Sequence, residues 1–426
     1  MDKLSLCSVV RSSLCPVAVR LRPVVLCLAV VCAAVALPTR PSLAADTYVE
    51  PQIDVRAEGN TNFDLVPGGS PYSNVYGYIA DAQALIDIAT PRSETSLRPR
   101  LRLQEFPERQ DLQRIEGFFD LRSRYEWQRS NFLLIGRYSL QDVYNTDTPS
   151  GVTDPLDPNY TDNPDSGRIV IGETRTLVEL RPTFEHEITE RTSIGVEAAF
   201  RIARYNSDGV QTKTDYDYGE LNGFVRWALS PTSDATIGAY ASRYETQDNS
   251  QETNAVGGKL GYGYRWSEDT GMEATVFLER NDTTVFVPVR LEESTTDWGG
   301  DLTAYRKHEV SVWRLTVGRD FIPTGDTGKS ESDQIRLQYD RDLSERLSFR
   351  GVARYESRSA LGATGGGQNR DYARMDVSLK WFASPKWYVG GGYSYIWEDR
   401  AKAPDYASNS KLFINFGYQG LSRQSR

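Results

Sequence analysis

The chain has 426 residues, with 49 Lys and Arg against 58 Asp and Glu, a net charge of −9 and a mean hydropathy of −0.51. That balance argues against a basic nucleic-acid binder and against a bundle of membrane helices. The 24 Tyr, 34 Gly and 8 Trp, beside only 3 Met and 2 His, point instead to a β-rich protein.

Residues 1–44 read as a secretory signal peptide. Arg20 and Arg22 precede an apolar run over 24–37, and Ser42-Leu43-Ala44 supplies a small-x-small cleavage site. The run is about 14 residues, short of the ~20 that span a bilayer as a helix. Its lead-in is long for a leader, so the true translation start is expected downstream of Met1. Cys7, Cys15, Cys27 and Cys32 all fall within this leader, and no convincing lipobox precedes Cys27 or Cys32. The remainder, 45–426, therefore owes nothing to disulfides. The leader's five Lys/Arg and one Asp leave it a net charge of −13.

From residue 46 onward the recurring signal is period-two alternation over roughly ten residues, broken by turn signals. The first run alternates Val49, Pro51, Ile53 and Val55 with Glu50, Gln52, Asp54 and Arg56. A second covers 76–88, and the turn Thr90-Pro91-Arg92-Ser93 leads into a third over 94–104. There Leu97, Pro99, Leu101 and Leu103 share one face and Arg98, Arg100 and Arg102 the other. Further strands are expected at 119–127 and 131–141. The pattern continues at 173–188, 192–205, 216–229, 234–245, 255–266, 271–281 and 297–307. The last six are 310–321, 332–343, 347–357, 370–382, 387–397 and 410–420. That makes eighteen, with sixteen as the alternative count. Pro99 fits this scheme only at a bulge or a weak ladder position, since a closed barrel has no free edge.

The connections alternate between tight turns and longer polar loops, the longest being 142–168. Loops sorted by end, an even strand number and ~10-residue spans predict an all-β, antiparallel up-and-down transmembrane barrel of the outer-membrane type. Trp127, Trp227, Trp266, Trp381 and Trp387 lie near tight turns, as expected of an interfacial aromatic girdle. Arg204-Tyr205, Arg243-Tyr244 and Arg354-Tyr355 close three strands at the other end and read as its counterpart. The final strand alternates Leu412, Ile414, Phe416 and Tyr418, the kind of terminal strand that barrel-assembly machinery recognises. Both termini are expected in the periplasm.

One face of each strand carries the charge. Its candidate lumen-lining residues are Arg98, Arg100, Arg102, Asp120, Arg122, Arg124, Arg137, Arg181, Arg226, Arg336, Arg350 and Arg374. A cation at the lipid midplane costs roughly 2–4 kcal/mol, so a set this large must face a lumen. Arginines there either hold anionic solutes bidentately or merely pair with carboxylates across strands. The row Arg98, Arg100 and Arg102 beside Arg122 and Arg124 is the best case for the first, because Asp120 and Glu126 satisfy only part of it.

The segment 319–328 (Arg-Asp-Phe-Ile-Pro-Thr-Gly-Asp-Thr-Gly), Arg336-Leu337-Gln338-Tyr339 and Leu343-Ser344-Glu345-Arg346-Leu347 resemble β-barrel porin families of Gram-negative bacteria. The starts of the first strand and the hairpin at 90–93 are similar too. The resemblance covers most of 45–426, but its motifs are loose hairpin signatures. Some such proteins are encoded beside exopolysaccharide genes. The resemblance thus implies a conduit for exopolysaccharide, with polysaccharide-export components as partners beside outer-membrane lipid and lipopolysaccharide.

The long loop carries Asp142, Asp147, Asp154, Asp157, Asp162 and Asp165. No EF-hand spacing is present, so a solvated loop is the plainer reading, although it is also placed to fold inward. His186 and His308 both sit beside tight turns without a G-x-S-x-G elbow, so neither an enzyme nor a metal or other cofactor site is expected. The sequence therefore predicts an outer-membrane channel for hydrophilic, anionic solutes. The alternative is a structural or adhesive barrel with a blocked lumen.

Overall fold

The computed structural model describes residues 46–69, 73–150, 172–207, 213–286, 290–326, 328–361, 369–401 and 403–420. The leader expected over 1–44, with all four cysteines, and Asp154, Asp157, Asp162, Asp165 and the segment 421–426 lie outside the described residues.

Eighteen strands form one antiparallel sheet. In chain order the first six are β1 (Asp46–Asn60), β2 (Val75–Ala89), β3 (Ser93–Glu105), β4 (Arg114–Glu126), β5 (Ser130–Asp142) and β6 (Glu173–Thr189). Next come β7 (Thr192–Ser207), β8 (Tyr216–Ser230), β9 (Ser233–Thr246), β10 (Gln251–Ser267), β11 (Thr270–Val285) and β12 (Leu291–His308). The circuit finishes with β13 (Ser311–Thr324), β14 (Gly328–Ser344), β15 (Leu347–Ala360), β16 (Arg370–Phe382), β17 (Trp387–Arg400) and β18 (Ala407–Gln419). Each strand pairs with its sequence neighbours, and β1 pairs with β18 from Gln52↔Gln419 to Asn60↔Lys411, which closes the barrel. Closure leaves no sheet edge to be satisfied, the condition for a sheet to stand in lipid.

All eighteen expected strands are present, each within six residues of its anticipated bounds, the largest difference being the start of β12 at Leu291. Pro99 also behaves as anticipated. The β2–β3 ladder runs to Gln83↔Arg100 and resumes at Ile86↔Leu97, so the proline faces a gap on that side. Pro182 does the same between Leu180↔Phe200 and Thr183↔Glu197. A residue without an N–H is tolerated where the ladder has no bond to lose.

Alternation sorts the side chains. Outward positions carry an apolar belt in which Leu221, Leu260, Val276, Leu278, Leu412 and Ile414 are all more than half exposed. In water such a surface would be an aggregation liability; facing acyl chains it is the stable arrangement. Trp127, Trp227, Trp266, Trp381 and Trp387 are likewise exposed beside the tight turns. The girdle expected at the opposite end is only partly there. Tyr355 points outward, but Tyr205 and Tyr244 are buried inside the barrel, so the Arg204-Tyr205 and Arg243-Tyr244 pairs put their arginines, not their tyrosines, on the exterior. The physical reason is the strand period: in each pair the arginine occupies the lipid-side parity, and the tyrosine is consumed by packing within the lumen.

If the belt faces lipid, Leu260→Arg destabilises the reconstituted barrel by about 2–4 kcal/mol, whereas Ser378→Arg on the lumen side stays within about 0.5 kcal/mol. Urea unfolding in phospholipid vesicles measures both.

Candidate functional site

The lumen is neither empty nor uniform. At the long-loop end three stretches of chain fold into it. The first is the loop after β1, where Phe63 stacks on Tyr144 at 4.3 Å and packs with Val75, Phe106 and Leu112. Leu65 from the same loop packs with Tyr372, Ile396 and Ala407.

The second is the start of the long loop. Asp142 ends β5 and caps a single-turn helix, α1 (Val143–Asp147), by accepting from the Tyr144 N–H at 2.9 Å. The chain then crosses to the far wall, where its carbonyls meet β15 and β16. Arg370 donates to Asp147 O (2.8 Å), Arg374 to Thr148 O (2.6 Å), Tyr372 to Pro149 O (3.2 Å) and Arg354 to Ser150 O (3.4 Å). Asp147 also pairs with Lys213 at 3.0 Å, both side chains fully buried. A buried pair of this kind anchors rather than drifts, because separating it strands a charge. Residues 143–150 form a strap across the lumen; the inward fold anticipated for this loop is seen there.

The third is the β13–β14 hairpin, whose tip bends inward. Tyr216 and Tyr244 donate to the carbonyls of Pro323 (3.3 Å) and Thr324 (3.0 Å), and the Thr214 N–H donates to Gly325 O at 2.7 Å. Gly328 holds φ at +83°, a conformation that disfavours any side chain. Lys329 binds Glu279 at 3.1 Å and Asn281 at 3.1 Å, as a latch to β11. Tyr205 and Tyr244 are spent on this packing, which is why they are absent from the exterior.

Beside the strap, on the wall from β15 through β18 and β1 to β6, lies a cavity of about 280 Å³. Eight cationic side chains line it (Arg56, Arg100, Arg102, Arg137, Arg175, Arg350, Arg374 and Lys411) against three acidic ones, Glu58, Asp120 and Asp376. A second cavity of about 960 Å³ lies toward the tight turns on the wall from β5 to β12, and its balance is reversed. Arg191, Arg226, Lys259 and Arg265 there face Glu185, Glu187, Glu190, Glu197, Asp234, Glu273 and Asp301. The lumen thus carries a cationic wall and an acidic one.

Of the expected residues, Arg100, Arg102, Asp120, Arg137, Arg350 and Arg374 come together around the first cavity, while Arg226 lines the second. Arg98 lies opposite Asp120, Arg122 opposite Ser96 and Arg124 opposite Glu94, all on the lumen parity of β3 and β4. Arg181 pairs with Glu179, and Arg336 faces Arg354 across the β14–β15 ladder. Most are paired. Asp81 accepts from Arg100 at 2.6 and 2.5 Å and from Arg102 at 3.0 Å, and Glu116 from Arg102 at 3.4 Å. Asp120 takes Arg137 at 3.2 Å, Asp340 takes Arg350 at 2.5 Å, and Asp376 takes Arg374 at 2.8 Å.

Two features escaped the sequence reading. Asp81, on the lumen face of β2, is the missing counter-charge for the arginine row; its alternation with Ala80 and Ala82 was the available signal. Aromatic rings also back the cations. Arg56 lies over Phe413 (5.4 Å), Arg100 over Phe118 (5.1 Å), Arg226 over Phe224 (5.5 Å) and Lys259 over Tyr240 (5.6 Å). Phe413 lies flat on the wall because its neighbour across the ladder is Gly392. A cation resting on a ring keeps its head toward the lumen and loses little freedom when it meets an anion.

Outside the strands, hydrogen bonds from Arg109 hold the Asp111 carboxyl below its ordinary range, and burial pushes the Tyr144 phenol up. His186 Nδ1 lies 2.8 Å from Ser130 Oγ at the tight-turn end, with no hydrogen-bonded carboxylate among the described residues.

No protein-family model matches the sequence, and no curated protein matches it. Among solved structures the chain is similar to Acinetobacter baumannii OccAB3, at 10% identity over 88% of this chain and 99% of that one, with a TM-score of 0.45. Pseudomonas aeruginosa OccK2 (OpdF) in complex with glucuronate is 9% identical over 88% and 98%, with a TM-score of 0.44. Pseudomonas aeruginosa OpdK with vanillate is 11% identical over 87% and 98%, with a TM-score of 0.42. Similarity this low says nothing of cargo. The eighteen-stranded closure stands on the strand register itself.

The latch is open to test. Lys329→Met leaves Glu279 buried without its counter-charge, with only Tyr240 and Asn281 as donors, at a cost of about 3–5 kcal/mol, and loosens the hairpin on its β11 side. Single-channel conductance should rise, and adding Glu279→Leu should recover stability while conductance stays high. Unchanged conductance in both would show that the hairpin does not narrow the path.

Proposed function

We propose that the chain is an outer-membrane channel that passes small hydrophilic anions, with the cavity beside the strap as the region that selects them. The observation that carries this reading is the excess of cations around that cavity. An apolar exterior belt supports placement in a membrane, and export through a leader followed by a closed barrel suits the outer one. Tight turns then face the periplasm and long loops the outside.

The cations outnumber the acids that line the same space, and most are oriented by a carboxylate or a ring. An incoming carboxylate, phosphate or sulfate replaces its hydration shell with charge-assisted N–H donors, which lowers the barrier to entry for anions and raises it for cations. Pairing with Asp81, Asp120, Asp340 and Asp376 keeps the site from holding an anion too tightly to release it. The strap favours small solutes over the exopolysaccharide implied by the family resemblance, because an extended polymer would have to thread beside a segment fixed by the Asp147–Lys213 pair.

Planar-bilayer recordings test this. Reversal potentials in a salt gradient should show anion preference. Arg102→Gln, Arg137→Gln and Arg350→Gln combined should move the anion-to-cation permeability ratio to one or below; Asp81 keeps Arg100, buried Glu116 keeps Gln104, Asn145 and the Asp142 N–H as donors, and Asp120 and Asp340 are partly exposed. A cation-selective channel indifferent to these changes would overturn the assignment. The same recordings decide against the structural or adhesive alternative if stable channels appear, and for it if none do.

A further inference from the structure

The wall that receives the strap carries two rows of arginine set side by side by the ladder. Arg336 of β14, Arg354 of β15 and Arg374 of β16 are direct partners, and so are Arg358, Arg370 and Arg400 on β15, β16 and β17. Ile335, Tyr355 and Met375, one residue along from the first row, are exposed on the exterior, so the row itself faces the lumen. Three carboxylates serve these six cations. Glu356 holds Arg354 (2.8 Å) and Arg358, Glu398 holds Arg370 (2.7 Å) and Arg400 (2.8 Å), and Asp376 holds Arg374 (2.8 Å). Arg336 pairs with none of them. Its Nε is buried without an acceptor among the described residues, and so is the Nε of Arg354.

Like charges directly opposite one another destabilise a sheet, and so does a buried N–H with no acceptor, so folding alone does not account for the first row. Holding the strap accounts for only part of it. Arg374 donates to Thr148 O at 2.6 Å and Arg354 to Ser150 O at 3.4 Å, but no such bond reaches Arg336. These strap acceptors are neutral carbonyls on charged donors. Neither Arg336 nor Arg354 lines the cavity of about 280 Å³, so the row is a separate cluster that shares only Arg374 with it.

We propose that Arg336, Arg354 and Arg374 form a site for inorganic phosphate or a phosphate monoester, and that strap residues 148–150 occupy it until the solute arrives. The proposal deepens the reading of the chain as an anion channel and rests on it. Neighbouring strands are about 4.8 Å apart, which lets three guanidiniums meet separate oxygens of one tetrahedral group. A carboxylate offers two oxygens and one charge. A phosphate monoester offers three oxygens and a charge of about −1.5 to −2, which suits a wall with twice as many guanidiniums as carboxylates. Charge-assisted bonds are roughly twice as strong as neutral ones, so phosphate oxygens displace Thr148 O and Ser150 O and also fill the two empty Nε donors. Asp147 stays on buried Lys213, which confines the movement to 148–150. The strap is thus a lid that its own solute lifts.

The test reads the strap. Thr148→Cys is made in a chain whose four cysteines are replaced by serine, and its reaction with a cationic, membrane-impermeant thiol reagent is timed. At equal ionic strength, inorganic phosphate or glycerol 3-phosphate should raise the rate about tenfold over acetate. Whichever of the two acts at the lower concentration identifies the source, free phosphate or ester. Arg336→Gln should raise the concentration for half effect about tenfold, the loss of one charge-assisted hydrogen bond. Arg336→Lys should recover only part of it. A rate equal in phosphate and acetate, or a response unmoved by Arg336→Gln, overturns the site. If the glutamine variant does not fold, the lysine variant and the comparison of phosphate with acetate carry the test. Reversal potentials in chloride report separately on the channel. Anion preference there without a phosphate effect at position 148 removes the phosphate site alone, whereas loss of that preference strikes the channel reading itself.

Discussion

A backbone N–H or C=O left unpaired in hydrocarbon costs several kcal/mol, and so does a charge. A closed antiparallel sheet meets both demands, because closure pairs every strand and the two-residue period sends alternate side chains to opposite surfaces. In this chain nearly every other feature is a consequence of that rule. The arginines of β3 can be numerous because Leu97, Leu101 and Leu103 take the outward positions in their place. Pro99 and Pro182 can sit inside strands because gaps in one ladder absorb the missing N–H. Glycines on the wall let rings such as Phe413 lie flat and carry cations inward.

The same closure creates a second problem, an interior wide enough to need filling. The protein fills it at one end, with the loop after β1, the strap at 143–150 and the β13–β14 hairpin. Three apolar clusters hold these segments, so the mouth of the lumen has a small core of its own. Toward the tight turns the interior stays open and polar. The strap lies beside the cationic wall, where Arg56, Arg100, Arg102 and Lys411 converge, while the acidic wall gives the opposite side a field unfavourable to anions.

Much of this was legible because it depends on period two. Strand number, turn positions, the parity of the arginines and the exposed tryptophans all follow from local alternation. What depends on distance along the chain was not legible. Asp81 meets Arg100 only after β2 and β3 pair, and Asp147 meets Lys213 across 66 residues. Tyr205 and Tyr244 looked like interfacial anchors because each ends a strand, yet the hairpin at 321–331 claims them from the far side of the barrel. No pattern within those strands announces a partner 80 residues away for Tyr244, or 120 for Tyr205.

The central claim is that one residue of register separates lipid from a conducting, water-filled lumen. All four cysteines of the chain fall within residues 1–44, so with those four replaced by serine, single cysteines placed in β4 give an unambiguous readout. Asp120→Cys and Arg124→Cys should be modified by a charged, membrane-impermeant thiol reagent, with a stepwise fall in channel current. Phe119→Cys and Leu121→Cys, one residue away, should be inert to the same reagent. Equal reaction at all four positions, or current loss only at 119 and 121, would contradict the account.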